Sequence, residues 1–176
     1  TLVDRAAKMA VRCGGDVEAG RNPGVKLGLA LGTAALMGRD KVTFILSPAI
    51  ASLGCWLEQL LAESTGKVGR GLLPIVDEEL GAPASYGADR LFVYLRLAEE
   101  FDPEQEESVE RLAGAGLPVI DLTLSDRSDL GGEFFRWEMA VAVCGSLLGV
   151  HPFDQPDVEA GKRATLDLAA AYESSG

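Results

Sequence analysis

Apolar residues in this chain come in short blocks whose period switches between helix and strand. Residues 2 to 13 repeat at helical spacing and stop at Gly14-Gly15. Residues 22 to 40 predict a second helix, ending at Gly38. "KVTFILS" (41 to 47) is a short β-rich run. "SLGCWLEQLLAESTGK" (52 to 67) has a Ser N-cap, helical apolar spacing and a glycine stop. "GLLPIV" (71 to 76) reads as a strand, and Pro74, with no N–H to give, places it at a sheet edge. "RLFVYLRL" (90 to 97) and "LPVIDLTL" (117 to 124) are strands flanking a helix at 103 to 116 with a charged outer face. Helices at 131 to 149 and 156 to 172 complete the pattern. Strands separated by helices imply a mostly parallel sheet with helices on both faces, that is, an α/β fold.

The chain has 176 residues, 47% of them apolar, which is enough for one globular domain with its own core. No internal repeat, low-complexity tract or internal boundary interrupts it. The formal net charge of −11 makes nucleic acid and anionic membranes poor partners. The longest nearly apolar run, "WEMAVAVCGSLLGV", is too short for a bilayer and contains Glu138. Cys13, Cys55 and Cys144 are far apart with no CxxC, and read as reduced, buried thiols of a cytoplasmic protein. With one histidine and no ligand spacing, no metal or other cofactor is expected. The chain opens at Thr1 inside a helical pattern, as expected of a piece of a longer polypeptide.

Ligands of parallel sheets usually bind beyond the carboxyl ends of the strands. There, Ser47 and Ser52 either meet an anion at a helix start or simply cap it. A different chemistry is carried by the helix at 52 to 65. Leu53, Trp56, Leu57 and Leu60 form its apolar stripe. Gln59 and Glu63, four residues apart, share a face at the edge of that stripe. A half-desolvated carboxylate at such an edge suits a general base, and the plainer alternative is a boundary glutamate paired with Lys67. Near the C-terminus, "HPFDQPDVEAGK" places Pro156 at a first helical position, with Asp154 or Gln155 as the cap. Gln155 and Lys162 are then two turns apart, about 10 Å along the axis. They either flank a small polar ligand or are a cap and a snorkelling lysine. Phe153 reads as buried, and His151 as a loop histidine satisfied nearby.

Two of these segments carry a resemblance. "FDQPDVEAGK" resembles the phosphoglucose isomerase signature F-D-Q-x-G-V-E-x-x-K, and "EQLLAESTGK" resembles that family's Q-Q-x-x-M-E-S-N-G-K. The segments lie about ninety residues apart, in the family's order. "NPGVKLG", "STGKVGRGLLPIV", "DRLFVYLRL" and "LGGEFFRWE" extend the likeness over nearly the whole chain, most closely to the isomerase half of bacterial transaldolase/phosphoglucose isomerase fusions. The resemblance implies a flavodoxin-like sugar isomerase (SIS) domain spanning residues 1 to 176, the second of two in a longer enzyme. It also implies interconversion of glucose 6-phosphate and fructose 6-phosphate through a cis-enediolate. Carried over by motif position, Glu63 is the base, Gln59, Ser64 and Gln155 contact the substrate, and Lys162 assists ring opening.

Three positions depart from the family pattern. Thr65 stands for its Asn, Asp157 for the Gly before V-E, and Glu133 for a ring-opening histidine that the family takes from a partner subunit. The resemblance therefore implies a homodimer, with either Glu133 or His151 in the place of that histidine and Glu133 kept as a candidate catalytic residue. The family's phosphate loop and G-G-R arginine belong to a first SIS domain, an expected partner that this sequence does not contain. By this reading the chain alone is inactive. Two other classes fit the composition. One is a non-catalytic sugar-phosphate-binding SIS module, for which nothing requires both the Gln59/Glu63 and Gln155/Lys162 pairs. The other is a receiver-like or nucleotide-binding domain using "VDEE" (76 to 79), which follows the second strand rather than the first and lacks a G-x-G-x-x-G after a strand.

Overall fold

The computed structural model describes residues 1–175, without the side chains of Pro156, Asp157 and Ser175. Among the described residues, six α-helices and four strands follow in the order α1 (Leu2–Arg12), α2 (Pro23–Leu36), β1 (Lys41–Leu46), α3 (Leu53–Thr65), β2 (Leu73–Ile75), β3 (Arg90–Leu97), α4 (Pro103–Gly114), β4 (Val119–Leu124), α5 (Leu130–Leu148) and α6 (Pro156–Ser175). The strands form one sheet in the order β2-β1-β3-β4, with every neighbouring pair parallel. This is the first part of the flavodoxin-like order.

The central strands β1 and β3 are buried along nearly their whole length, which is why they read as continuous apolar runs. β2 is a three-residue edge strand whose Pro74 pairs with Val42, the position a residue without N–H allows. The larger core lies between one sheet face and α2, α3 and α5, with Leu31, Leu57, Leu61, Trp137 and Cys144 at its centre. A smaller core on the other face joins Ile45, Phe92 and Tyr94 to Val109 and Leu112 of α4. Helices thus cover both faces.

α2 packs tightly on α5. A Cβ at Gly28 would lie 2.5 Å from the Ala140 carbonyl oxygen and 2.6 Å from the Val143 Cβ. Only a residue without a side chain lets the two backbones approach so closely. The chain leaves α2 through Gly38 at φ +84°.

Three expectations are corrected. Ser52 stands at the start of α3 in a helical conformation and makes no side-chain cap bond. A 3-10 turn (Pro48–Ile50) runs directly into α3, and the Gly54 N–H already bonds the Ala51 carbonyl, so little is left to cap. Of the three thiols, Cys13 and Cys144 are buried but Cys55 is exposed, because it falls on the outer side of α3. Phe153 is 78% exposed, since the segment leading into α6 turns away from the core. Every described side chain of α6 from residue 158 to 174 is exposed as well.

Candidate active site

The carboxyl ends of the strands are occupied by the protein's own groups. Buried Ser47 turns inward, and its Oγ accepts from the Leu97 N–H at 3.0 Å. The Ala49 N–H, where an anion would have approached, donates to the Glu100 carboxylate at 3.2 Å. Beyond β4, Asp126 caps its turn by accepting from the Ser128 N–H at 2.7 Å and pairs with Arg5 at 3.1 Å. The side-chain and backbone bonds from Ser128 come first in holding the Asp126 carboxyl below its usual range, and Arg5 adds to them.

The Gln59/Glu63 face lies at the other end of the sheet. A helix joining two parallel strands must run back against them, and α3 joins β1 to β2, whose first residues Lys41 and Leu73 pair side by side. The last turn of α3 therefore reaches the amino edge. The apolar stripe of α3 centres on buried Leu53, Leu57 and Leu61. Trp56 and Leu60, expected within it, form its half-buried shoulder. That shoulder, with Gln59, Glu63 and Ser64, lines an open groove of about 320 Å³. Trp56 is held there edge-on by Phe134 of α5, with ring centroids 4.7 Å apart.

Gln59 Nε2 approaches one Glu63 oxygen at 3.5 Å, the outer limit of a hydrogen bond. Gln155 Nε2 donates to the other oxygen from 92 residues away. The two motif segments thus meet on one carboxylate. Gln155 is also where α6 begins, its carbonyl accepting from the Glu159 N–H at 3.1 Å.

Glu63 and Gln59 are exposed and Ser64 is half-buried, so the half-desolvated carboxylate expected at this edge is not found. The groove is lined by α3, and Gln155 meets it at Glu63. Lys67 does not pair with Glu63 but is buried, with its ammonium turned toward residues 151 to 154. Lys162 lies on exposed α6, outside the groove lining. His151 is a locally satisfied loop residue whose Nδ1 accepts from the Phe153 N–H at 3.3 Å. Thr65, in place of the family's Asn, is buried, and its hydroxyl donates to the Leu61 carbonyl at 2.7 Å and accepts from the Leu72 N–H at 2.9 Å. It ties the end of α3 to the lead-in of β2. The Asp157 side chain lies outside the described residues.

Glu133 is brought to a different place. It sits in the first turn of α5, just past β4, at the carboxyl edge of the sheet. It is 2% exposed, and both its oxygens bond the Arg136 guanidinium. It shares a pocket with Arg5, Lys8 and Arg12, not with Glu63. Sequence spacing gave no warning of this, because Phe134, the next residue, does reach Trp56 while Glu133 points into the other pocket. A larger cleft of about 590 Å³ near Arg70 and Leu73 offers no paired acid and base, since Asp40 is bound to Lys41 at 2.8 Å. Among the described residues, no cluster of three or more His, Cys, Asp or Glu is placed to hold a metal ion. Nor is any described helix long and apolar enough to cross a membrane.

No family model matches the chain. A glucose-6-phosphate isomerase of Rubrobacter xylanophilus is 32% identical over 74% of this chain and 39% of that protein. A probable glucose-6-phosphate isomerase of Methanococcus maripaludis is 28% identical over 73% of this chain and 37% of that one. The chain thus spans well under half the length of these curated relatives. Among solved structures, a glucose-6-phosphate isomerase from Chlamydia trachomatis superposes with a TM-score of 0.67 at 17% identity, over 98% of this chain and 43% of that one. A glucose-6-phosphate isomerase-like protein from Thermus thermophilus gives 0.63 at 16% identity, over 87% and 53%. At those identities the structural likeness speaks for the fold.

Proposed function

We propose that this chain, a relative of glucose-6-phosphate isomerases over part of their length, is the second SIS domain of such an enzyme and carries its general base. The observation behind this reading is the Gln155 amide on the Glu63 carboxylate, which joins the two motif segments at one acid–base group. A proton alpha to a carbonyl is weakly acidic, so the base must be held close and the enediolate oxygen stabilised. In the open-chain sugar, C1 and C2 are adjacent. One carboxylate, Glu63, takes the proton from C2 of the aldose and returns it to C1, giving the ketose. Gln59, Ser64 and Gln155 contact the sugar hydroxyls, and Lys162 assists ring opening, in which the ring oxygen gains a proton and the C1 hydroxyl loses one. Glucose 6-phosphate and fructose 6-phosphate are the substrate pair.

The chain supplies only part of that site. Its groove is open, and an enediolate exposed to water is unprotected against side reactions. We place the phosphate cradle and the enediolate-binding arginine in a first SIS domain. In this proposal that domain or a second subunit closes over the groove, and α6 and Phe153, both exposed, are the surface it would meet. Glu133, buried at the opposite edge of the sheet, takes no step with Glu63 of its own chain in this scheme. Buried and held by Arg136, it reaches the groove of a second copy in a homodimer only if those bonds are broken. Fusion to a transaldolase is a further feature of this proposal.

The test uses the longer polypeptide. Glu63→Gln is expected to abolish isomerisation and solvent-hydrogen exchange at C2 together, by about 10²–10⁴-fold, the usual contribution of one general base. The 1–176 chain alone is expected to give no useful turnover. A folded Glu63→Gln protein exchanging C2 hydrogen at the parent rate rejects the base. The alternative, a non-catalytic sugar-phosphate-binding module, is favoured by the exposure of Glu63. It predicts sugar-phosphate binding without exchange in the parent protein.

A further inference from the structure

Lys67 follows Glu63 by four residues, yet its side chain points the other way. It is 5% exposed. Its Nζ lies 2.5 Å from the His151 carbonyl oxygen, 2.5 Å from the Asp154 carbonyl oxygen and 3.0 Å from Asp154 Oδ1. Burying an ammonium is costly unless its protons are all used, and here three acceptors surround it. A lysine serving only as surface charge would extend to water. This one instead closes a frame: Glu63 and Lys67 at the end of α3, Asp154 and Gln155 at the start of α6. Lys67 grips Asp154, and the next residue, Gln155, reaches Glu63.

The turn between the clamp residues is built for this. Val68 and Gly69 both have positive φ, +50° and +73°. Lys67 and Arg70 close the turn with paired backbone bonds, Lys67 N–H to the Arg70 carbonyl at 3.0 Å and Arg70 N–H to the Lys67 carbonyl at 2.9 Å. Arg70 then donates to the Leu148 carbonyl at 2.7 Å, at the end of α5. The connection from α5 to α6 is therefore anchored at both ends by one tight turn.

We infer that Lys67 is a positioning residue: through Asp154 it holds Gln155 against Glu63, and it leaves Glu63 without an ammonium partner. The catalytic consequence rests on the isomerase reading above, whereas the positional claim does not. Proton transfer depends steeply on the orientation of the carboxylate, and small misplacements of a catalytic group cost up to about 10²-fold.

The experiment compares Lys67→Met, Lys67→Arg and Asp154→Ala with the parent in the longer polypeptide. In Lys67→Met, kcat is expected to fall about 10–10²-fold with KM little changed, the pattern of a lost transition-state arrangement. Lys67→Arg, which restores the charge and donors, is expected to recover part of the loss. The second readout needs no activity. The Gln155 side-chain amide resonances of the 1–176 chain should shift as Glu63 titrates. That dependence should be lost in Lys67→Met and weakened in Asp154→Ala, with Glu63→Gln as the control that abolishes it. Asp154 is exposed, so its variant keeps the test alive if Lys67→Met fails to fold. Should the parent lack isomerase activity while the coupling still depends on Lys67, the functional reading fails and the positional inference stands. Persistence of the Gln155–Glu63 coupling in folded Lys67→Met overturns the inference, whatever happens to kcat.

Discussion

Cys144 lies wholly inside the larger core, where burial disfavours the thiolate and pushes its pKa from 9.0 up to about 11. The folded state therefore keeps this proton when the unfolded chain has released it. The associated stability is complete below pH 9.0 and is lost as pH rises toward about 11. Cys55, on the outer side of α3, is exposed. Iodoacetamide at pH 8 should label Cys55 quickly and leave Cys144 untouched until the protein unfolds, as peptide mass spectrometry would show. Equal labelling rates would mean that Cys144 is not enclosed. Residue spacing predicted that Gln59 and Glu63 share a face, because positions four apart on a helix always do. The same rule suggested a Glu63–Lys67 pair. The structure turns Lys67 into the interior because carbonyls 84 and 87 residues further on converge there.

Gly28 shows how a single position governs the packing of an element. Alanine is a better helix former than glycine by roughly 1 kcal/mol, so Gly28→Ala would stabilise an isolated α2. On α5, however, the new methyl would meet the Ala140 carbonyl oxygen at 2.5 Å, a contact with backbone that cannot give way by rotating. The helices must separate, and overpacking of this kind costs about 1–3 kcal/mol. A lower urea midpoint at unchanged slope is the expected result, and a raised midpoint would show that α2 and α5 are less tightly opposed. The elements themselves were legible. β3 was predicted at its observed limits, and Pro74 identified the edge strand. Ser52 was misjudged as a side-chain cap because the 3-10 turn that meets those first N–H groups has no period to detect.

For the whole molecule, α6 buries little of its side-chain surface against the rest. Its described side chains are exposed, Leu166 and Leu168 by 70% and 73%. A chain ending at Gln155 should unfold at nearly the same urea concentration, with a change under about 0.5 kcal/mol, as for surface changes that touch no special feature. A drop of several kcal/mol would show that α6 stabilises the domain through contacts of its own. The sequence by itself determined the α/β class, the order of elements and the pairing of Gln59 with Glu63. Each of these follows from period, turn chemistry and local spacing. Only the tertiary structure decided that Gln155 meets Glu63, that Lys67 holds the segment before it, and that Glu133 lies at the opposite edge of the sheet. These depend on the direction in which each crossover helix runs and on contacts across the fold, which local periodicity does not encode.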